Sequence, residues 1–447
     1  MRMERLGPGG SPAQVLRLLG ARAEAAGTPP PAALTGTWFG AAAVLAPHVR
    51  AVATPPADAF VLRSRSAPGR DEPGRDEPGR DEPGRDEPVV GGGWIGCLAY
   101  PDRAPTHPAL PRAAGGWTDT VLRLDHDGCW WYESLTDAAC PAGLAAVVRE
   151  APETAARAPW RIDWTAPDRD AHRRGVQQCL EAIRAGEVYQ ACVCTRFTGA
   201  WSGSPLHFFA DGIERTAPAR AAYVAGDWGA VASLSPELFL ARHDDRVTSS
   251  PIKGTLPIGA DPALLRASVK DVAENVMIVD LVRNDLGRVA ETGSVTVPEL
   301  LGVHPAPGVW HLVSTVAASL RAGVDTVRLL EAAFPPASVT GCPKLRAREF
   351  LQVWEPYPRG MYCGTVGMAS PVAGVELNVA IRTVEFGRGD ADTPGSCGLG
   401  VGGGITIDSD PDAEWQECLD KAASILALSP RTPSGQPPAD RTVATSR

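Results

Sequence analysis

Apolar positions recur at two different spacings along the chain, and the spacing predicts the elements. After Asp170, which can cap a helix, Val176, Cys179, Leu180 and Ile183 fall on one face, and Gly186 can end it. Glu187–Phe197 then alternates with period two and predicts a strand. Gln190, Cys192, Cys194 and Arg196 share one of its faces; Tyr189, Val193 and Phe197 share the other. Glu376–Phe386 alternates in the same way, with Asn378 and Arg382 opposite Leu377, Val379 and Ile381. Two longer segments read as helices: 268–289 (SVKDVAENVMIVDLVRNDLGRV) and 410–428. The second has Ser409 or Asp410 as its cap and Pro411 in its first turn. Its apolar face is Trp415, Leu419, Ala422, Ile425 and Leu426. Three small-residue segments read as turns: Gly341–Lys344, Arg359–Gly364 and the glycine run Gly398–Ile405. GGGWIGCLAY at 91–100 reads as strand and tight turn.

The 447 residues suit two or three domain-sized units, or one large core with an appended region. The segment 68–88 repeats PGRDE; it cannot bury apolar surface and predicts a mobile surface loop. Residues 151–168 read as a linker between an N-terminal region, 1–160, and a C-terminal part, 165–428. The Pro/Ser/Thr-rich end, 430–447, predicts a disordered tail. With 43 basic and 52 acidic side chains the net charge is −9, which argues against a nucleic-acid or anionic-membrane partner. There is no run of 18 apolar residues and no apolar core near the N-terminus, so no membrane span or secretory signal is expected, and the predicted location is cytoplasmic. The 10 cysteines lack CxxC or zinc spacing and read as reduced, mostly buried small hydrophobes.

Chemistry enters through the polar positions on these elements. On the first long helix Asp271 and Glu274 are i,i+3 neighbours; on the second, Glu414, Glu417 and Lys421 share a face. Two such faces brought together would offer Mg²⁺ the hard oxygen ligands it takes. Read alone, Glu417 and Lys421 are equally an ordinary i,i+4 surface pair. Arg382, a forked cation beside glycine-rich turns, suits a substrate carboxylate or a structural ion pair. Lys253, in Pro251–Thr255 (PIKGT), reads alone as a solvated surface charge. The glycine run lacks the strand–GxGxxG–helix context of a dinucleotide site.

Taken in order, GEVYQ (186–190), Ser235-Pro236-Glu237, PIKGT, AEN…DLVRNDLGRV, His311–Ser314, SVTGCPK, RGMYCG, AIRT and GGGI with its following acidic helix resemble the chorismate-binding enzymes. That family includes anthranilate synthase component I, the aminodeoxychorismate synthases and the isochorismate and salicylate synthases. The resemblance covers about residues 165–428, with a weaker echo at 91–100. It implies an α+β, anthranilate synthase component I-like fold of stacked antiparallel sheets with surrounding helices, and an active-site cleft within it.

The resemblance also implies roles. Isochorismate and salicylate synthases carry a lysine where Gln190 stands, so Gln190 disfavours hydroxylation at C2 and becomes a substrate neighbour. Lys253 stands where anthranilate synthases typically have alanine and aminodeoxychorismate synthases lysine. It is implied to attack C2 of chorismate before ammonia enters at C4, giving 4-amino-4-deoxychorismate on the route to 4-aminobenzoate, for folate or for a secondary metabolite. Glu237 is implied as the general acid on the departing C4 hydroxyl. Glu274 and Glu417 are implied as Mg²⁺ ligands, with Asp271 and Glu414 as their water-bridged partners. Tyr362, Arg382 and the N–H groups of Gly402, Gly403 and Gly404 are implied binders of the enolpyruvyl carboxylate. Thr255 and Thr340 would shape the pocket. His311 matches a histidine linked to pyruvate release in anthranilate synthases, which keeps C2 amination as the alternative. A catalytically silent paralogue that binds the amidotransferase is a further one.

Two departures stand out. Phe334-Pro335-Pro336-Ala337 replaces the usual Pro-Gly-Gly before SVTG, which stiffens a pocket-edge turn. The N-terminal region lacks the Leu-Leu-Glu-Ser segment that binds tryptophan in feedback-inhibited relatives. No cysteine sits in a Gly-x-Cys-x-Gly elbow, so ammonia is expected free or from a separate glutamine amidotransferase subunit.

Overall fold

The computed structural model describes residues 1–62, 89–101, 109–389 and 394–428. The repeat at 68–88 and the tail at 430–447 lie outside them.

Two antiparallel sheets stack face to face, one of 12 and one of 10 strands among the described residues. Leu34, Val44, Val224 and Val231 from the larger sheet meet Ile95, Val366 and Met368 from the smaller to form the inner core. The outer face of the larger sheet is covered by the helices Pro12–Ala26, Ala142–Thr154, Pro205–Thr216 and Pro411–Leu426, through residues such as Leu16, Val148, Phe209 and Ile425. The outer face of the smaller sheet is covered by the helices Val269–Gly287 and Thr326–Ala333, through Ile278, Val282, Leu286 and Leu329. This is the expected α+β class, with each sheet buried on both faces.

The helix ends follow their sequence signals. Ser268 caps Val269–Gly287 by accepting from the Asp271 N–H, and Asp410 caps Pro411–Leu426 by accepting from Asp412 and Ala413. The helix expected after Asp170 spans Arg169–Arg184, and its cap is Asp168 rather than Asp170.

Four readings need correction. Residues 151–168 are not a free linker: they end the helix Ala142–Thr154 and form the strand Trp160–Thr165, which pairs with Gln190–Gly203. Nor does residue 160 divide the sheets. Ala32–Trp38 pairs with Arg220–Gly226 in one, and Gly93–Leu98 pairs with Thr365–Ser370 in the other.

Glu376–Phe386 is not one strand. Gly374–Asn378 belongs to the smaller sheet and Thr383–Gly387 to the larger. The chain crosses between them at Val379–Arg382, where Arg382 turns with φ 50. Asn378 and Arg382 therefore do not share a strand face. Asn378 is instead a buried tie, donating from Nδ2 to the Arg220 carbonyl and accepting from the Val366 N–H.

The glycine run is a strand, Gly395–Ile405, paired with Gln190–Gly203. Its glycines make room for side chains that lie flat on it. A Cβ at Gly398, Gly400, Gly402 or Gly404 would stand 2.1 Å from Arg196, 2.2 Å from Tyr362, 2.5 Å from Cys194 Sγ and 2.2 Å from Gln190 Nε2.

Candidate active site

Lys253 lies on a bulge. The strand Ile252–Pro257 pairs with Val309–Ser319, matching Ile252 to Val313 and Thr255 to His311. Two residues on one side thus face one on the other. Gly254 supplies the left-handed turn, φ 80, and a Cβ there would stand 3.1 Å from Asp271. The bulge aims Lys253 inward, where its Nζ donates to the Ser338 carbonyl at 2.9 Å. Beyond the bulge, Thr255 Oγ1 and His311 Nδ1 are hydrogen-bonded at 2.9 Å.

Glu237 and Arg382 occupy two adjacent sheet crossings. Glu237 sits between Gly229–Ser235 of the larger sheet and Leu238–His243 of the smaller. The crossings are stitched by Ser235 Oγ donating to the Val379 carbonyl (2.6 Å) and the Val379 N–H donating to the Glu237 carbonyl (3.0 Å). Glu237 is 4% exposed. Burial pushes its carboxyl up to about 7, against the opposing pull of Ser338 and Lys253. It therefore carries a proton into the neutral range.

Arg382 is half-buried, and its guanidinium has no hydrogen-bond or ion-pair partner among the described residues. A partly desolvated, unpaired cation on a non-glycine residue in a left-handed conformation is suited to an anionic ligand. Burial, and then the nearby Arg382 charge, hold His311 down at about 4, so it is neutral. Arg382 also leads into Thr383–Gly387, which pairs with Gly229–Ser235 on one side and, on the other, reaches the glycine strand at Cys397–Leu399. Beyond Leu399 that edge of the glycine strand is open on Arg382's side, and Gly402–Gly404 lie on it.

Three glutamates border this strand. A Cβ at Gly403 would lie 2.8 Å from Glu414 Oε2 and 3.4 Å from Glu417 Oε1; one at Gly404 would lie 3.2 Å from Glu274 Oε2. The helices Val269–Gly287 and Pro411–Leu426 thus deliver their acidic faces to one place. Glu274 and Glu414 are 7% and 2% exposed, and Glu274 Oε1 and Glu414 Oε2 are buried without a hydrogen-bond partner. Burial raises the Glu274 carboxyl. The Glu417 carboxyl is lowered, because the Lys421 ion pair at 2.7 Å outweighs its burial. Asp271 packs instead against Gly254, beside Lys253.

As the side chains stand, no three His, Cys, Asp or Glu groups among the described residues converge at metal-binding distance. Two lysines lie among the acids: Lys270 Nζ is 3.1 Å from Glu414 Oε1, and Lys421 Nζ bonds both Glu417 and the Gly402 carbonyl. Orphaned buried carboxylate oxygens over a Cβ-free cradle are nevertheless the donor set a hard divalent cation takes.

The remaining expected residues form the walls. Gln190 lies on Gly404, with its Oε1 buried and unpartnered. Tyr362 is 5% exposed, rests on Gly400, and has its hydroxyl pushed up by burial. Thr340 is fully buried and donates to the Pro336 carbonyl at 2.8 Å, which braces the Pro336–Ala337 turn beside Glu237.

Sequence reasoning passed over Lys270, whose i,i+4 spacing to Glu274 was its signal. It also passed over Ser338, whose carbonyl accepts from Lys253 and whose side chain hydrogen-bonds the Glu237 carboxyl. Arg359 was read only as part of a turn. It donates to the Cys192 and Val339 carbonyls, both at 2.6 Å, and fixes the site's floor.

Two stacked antiparallel sheets carry buried acids against one glycine strand, a lysine on a bulge and an arginine without an ion pair among the described residues, a set of groups suited to a small anionic ligand. The chain belongs to the chorismate-binding enzyme family, whose family model matches residues 66–427. It is 39% identical over 356 residues to aminodeoxychorismate synthase component 1 of Klebsiella aerogenes, covering 75% of this chain and 76% of that protein. Among solved structures, anthranilate synthase component I from Streptococcus pneumoniae superposes with a TM-score of 0.64 at 25% identity, over 75% of this chain and 80% of that one. The menaquinone-specific isochorismate synthase of Escherichia coli shares the fold, with a TM-score of 0.66 at 19% identity over 95% of this chain and 94% of that one. No helix among the described residues is long and apolar enough to cross a membrane.

Proposed function

We propose that this chain aminates chorismate at C4 with ammonia, in a Mg²⁺-dependent reaction, to give 4-amino-4-deoxychorismate. The observation that carries the reading is Lys253, aimed by its bulge to within 2.9 Å of the Ser338 carbonyl and acting electrostatically on the buried Glu237. The name of the Klebsiella relative supports the same reaction.

The Lys253 amine, once neutral, attacks C2 of the ring. The ring double bond shifts, and the C4 hydroxyl leaves as water with the proton that Glu237 holds. Ammonia then adds at C4, the double bond returns, and the C2–N bond breaks to release Lys253. Arg382 and Tyr362, with the N–H groups along Gly402–Gly404, hold the enolpyruvyl carboxylate. Glu274 and Glu417, flanked by Glu414, would hold the cation, and Asp271, packed on Gly254, stands apart from them. Bound there, Mg²⁺ would neutralise the C1 carboxylate and draw electron density from the ring. Gln190 has no base to offer water at C2, which keeps hydroxylation out. A separate glutamine amidotransferase subunit in the cytoplasm would deliver the ammonia.

Lys253→Ala should lower amination by more than about a hundredfold while chorismate still binds in the presence of Mg²⁺. Turnover equal to wild type in that variant would overturn the lysine's role.

A further inference from the structure

We propose that Lys270 is an exchangeable counter-cation of the carboxylate cluster, one that a divalent cation must displace in order to bind. This rests on the reading of Glu274, Glu414 and Glu417 as a metal site.

The geometry is specific. Lys270 Nζ stands 3.1 Å from Glu414 Oε1 and 4.0 Å from Glu274 Oε1, between the two acidic helices. The acids are buried and the lysine is not: the side chains of Glu414 and Glu274 are 3% and 9% exposed, that of Lys270 44%. An ammonium on a long stem can therefore swing into water without moving its helix.

Lys270 also leaves the acids incompletely satisfied. Glu274 Oε1 and Glu414 Oε2 are buried with no hydrogen-bond partner, although the lysine lies within ion-pair reach of both residues. The single charge offsets part of the repulsion but does not fill the lone pairs. Buried carboxylate oxygens left in that condition are costly, and a hard divalent cation satisfies them better than an ammonium does. Lys421 is as exposed, at 44%, but is held by two short contacts, Glu417 at 2.7 Å and the Gly402 carbonyl at 2.8 Å, whereas Lys270 makes one hydrogen bond, to Glu414 at 3.1 Å. Of the two lysines, Lys270 is the one free to leave.

Exchange has a consequence for binding order. Displacing one positive charge by two changes the cluster by a single unit, so the site is held together before the metal arrives and is not over-charged after it. The cost is a weaker apparent affinity for the metal, since Lys270 competes for the same oxygens.

The test is calorimetric titration of Mg²⁺ into the full chain, without chorismate, for wild type and Lys270→Gln. Exchange predicts that the variant binds Mg²⁺ about tenfold more tightly, a coupling of ordinary size. A helix-to-helix tie with no role in exchange predicts equal or weaker binding, and that result overturns the proposal. If Lys270→Gln fails to fold, acetylation of wild-type lysines read by peptide mass spectrometry still decides. Mg²⁺ should increase labelling of Lys270 and leave Lys344 unchanged, and unchanged Lys270 labelling at saturating Mg²⁺ contradicts exchange. Wild type that binds no Mg²⁺ at all would instead remove the metal-site reading on which the proposal stands.

Discussion

Gly254 turns with φ 80 against Asp271, and that one conformation converts Lys253 from a strand side chain into a group aimed at Ser338 and Glu237. The sequence offered PIKGT as a motif, but a bulge is a property of the pairing with Val309–Ser319 and has no local signature. Glu237 is the converse case. Its role as a general acid was implied by the Ser235-Pro236-Glu237 motif, whereas its protonation depends on burial that only the crossing of the sheets creates. With its carboxyl raised to about 7, the protonated, acid-competent fraction falls as pH rises through that value. Turnover limited by loss of the C4 hydroxyl should therefore decline on the alkaline side of about 7. Glu237→Gln should be slow at every pH and lose that limb. A variant that keeps the wild-type alkaline limb would assign it to another group.

At the scale of elements, helices were more legible than strands. Asp410, one of the two caps read for the second acidic helix, caps it, and Ser268, where the first was read to begin, caps the first, because a cap is decided within one turn. Strand limits were decided across the sheet. Glu376–Phe386 alternates throughout, yet it is divided between two sheets at Arg382, since alternation does not reveal which partner lies alongside. Gly395–Ile405 reads as a turn because glycine weakens strands, and it is a strand because four partners need the space its side chains would take. The cap on Pro411–Leu426 also supports the site, since that helix presents Glu414 and Glu417. Asp410→Ala should cost about 1 kcal/mol of stability and raise the Mg²⁺ concentration needed for half-maximal activity. Urea unfolding and a Mg²⁺ titration of rate check both; an unchanged Mg²⁺ requirement would separate the cap from the site.

Over the whole molecule, the motifs located the catalytic half and missed how much of the sandwich the first 160 residues build. Ala32–Trp38 and Gly93–Leu98 are interior strands of the two sheets, and their registers were invisible without their partners. A chain reduced to 165–428 would expose the edges of Arg220–Gly226 and Thr365–Ser370 and lose much of the inner core. It should be insoluble or unfold without a cooperative transition, whereas a soluble, cooperatively folding fragment would show that the C-terminal part is a domain in its own right. C4 amination is the claim to which Lys253, Glu237 and Arg382 all contribute, and it is tested most directly by the product. Full-length protein incubated with chorismate, Mg²⁺ and ammonium at mildly alkaline pH, with products separated and weighed by mass spectrometry, should yield 4-amino-4-deoxychorismate and no pyruvate. Anthranilate with an equivalent of pyruvate would contradict C4 amination and place His311 in the catalytic set.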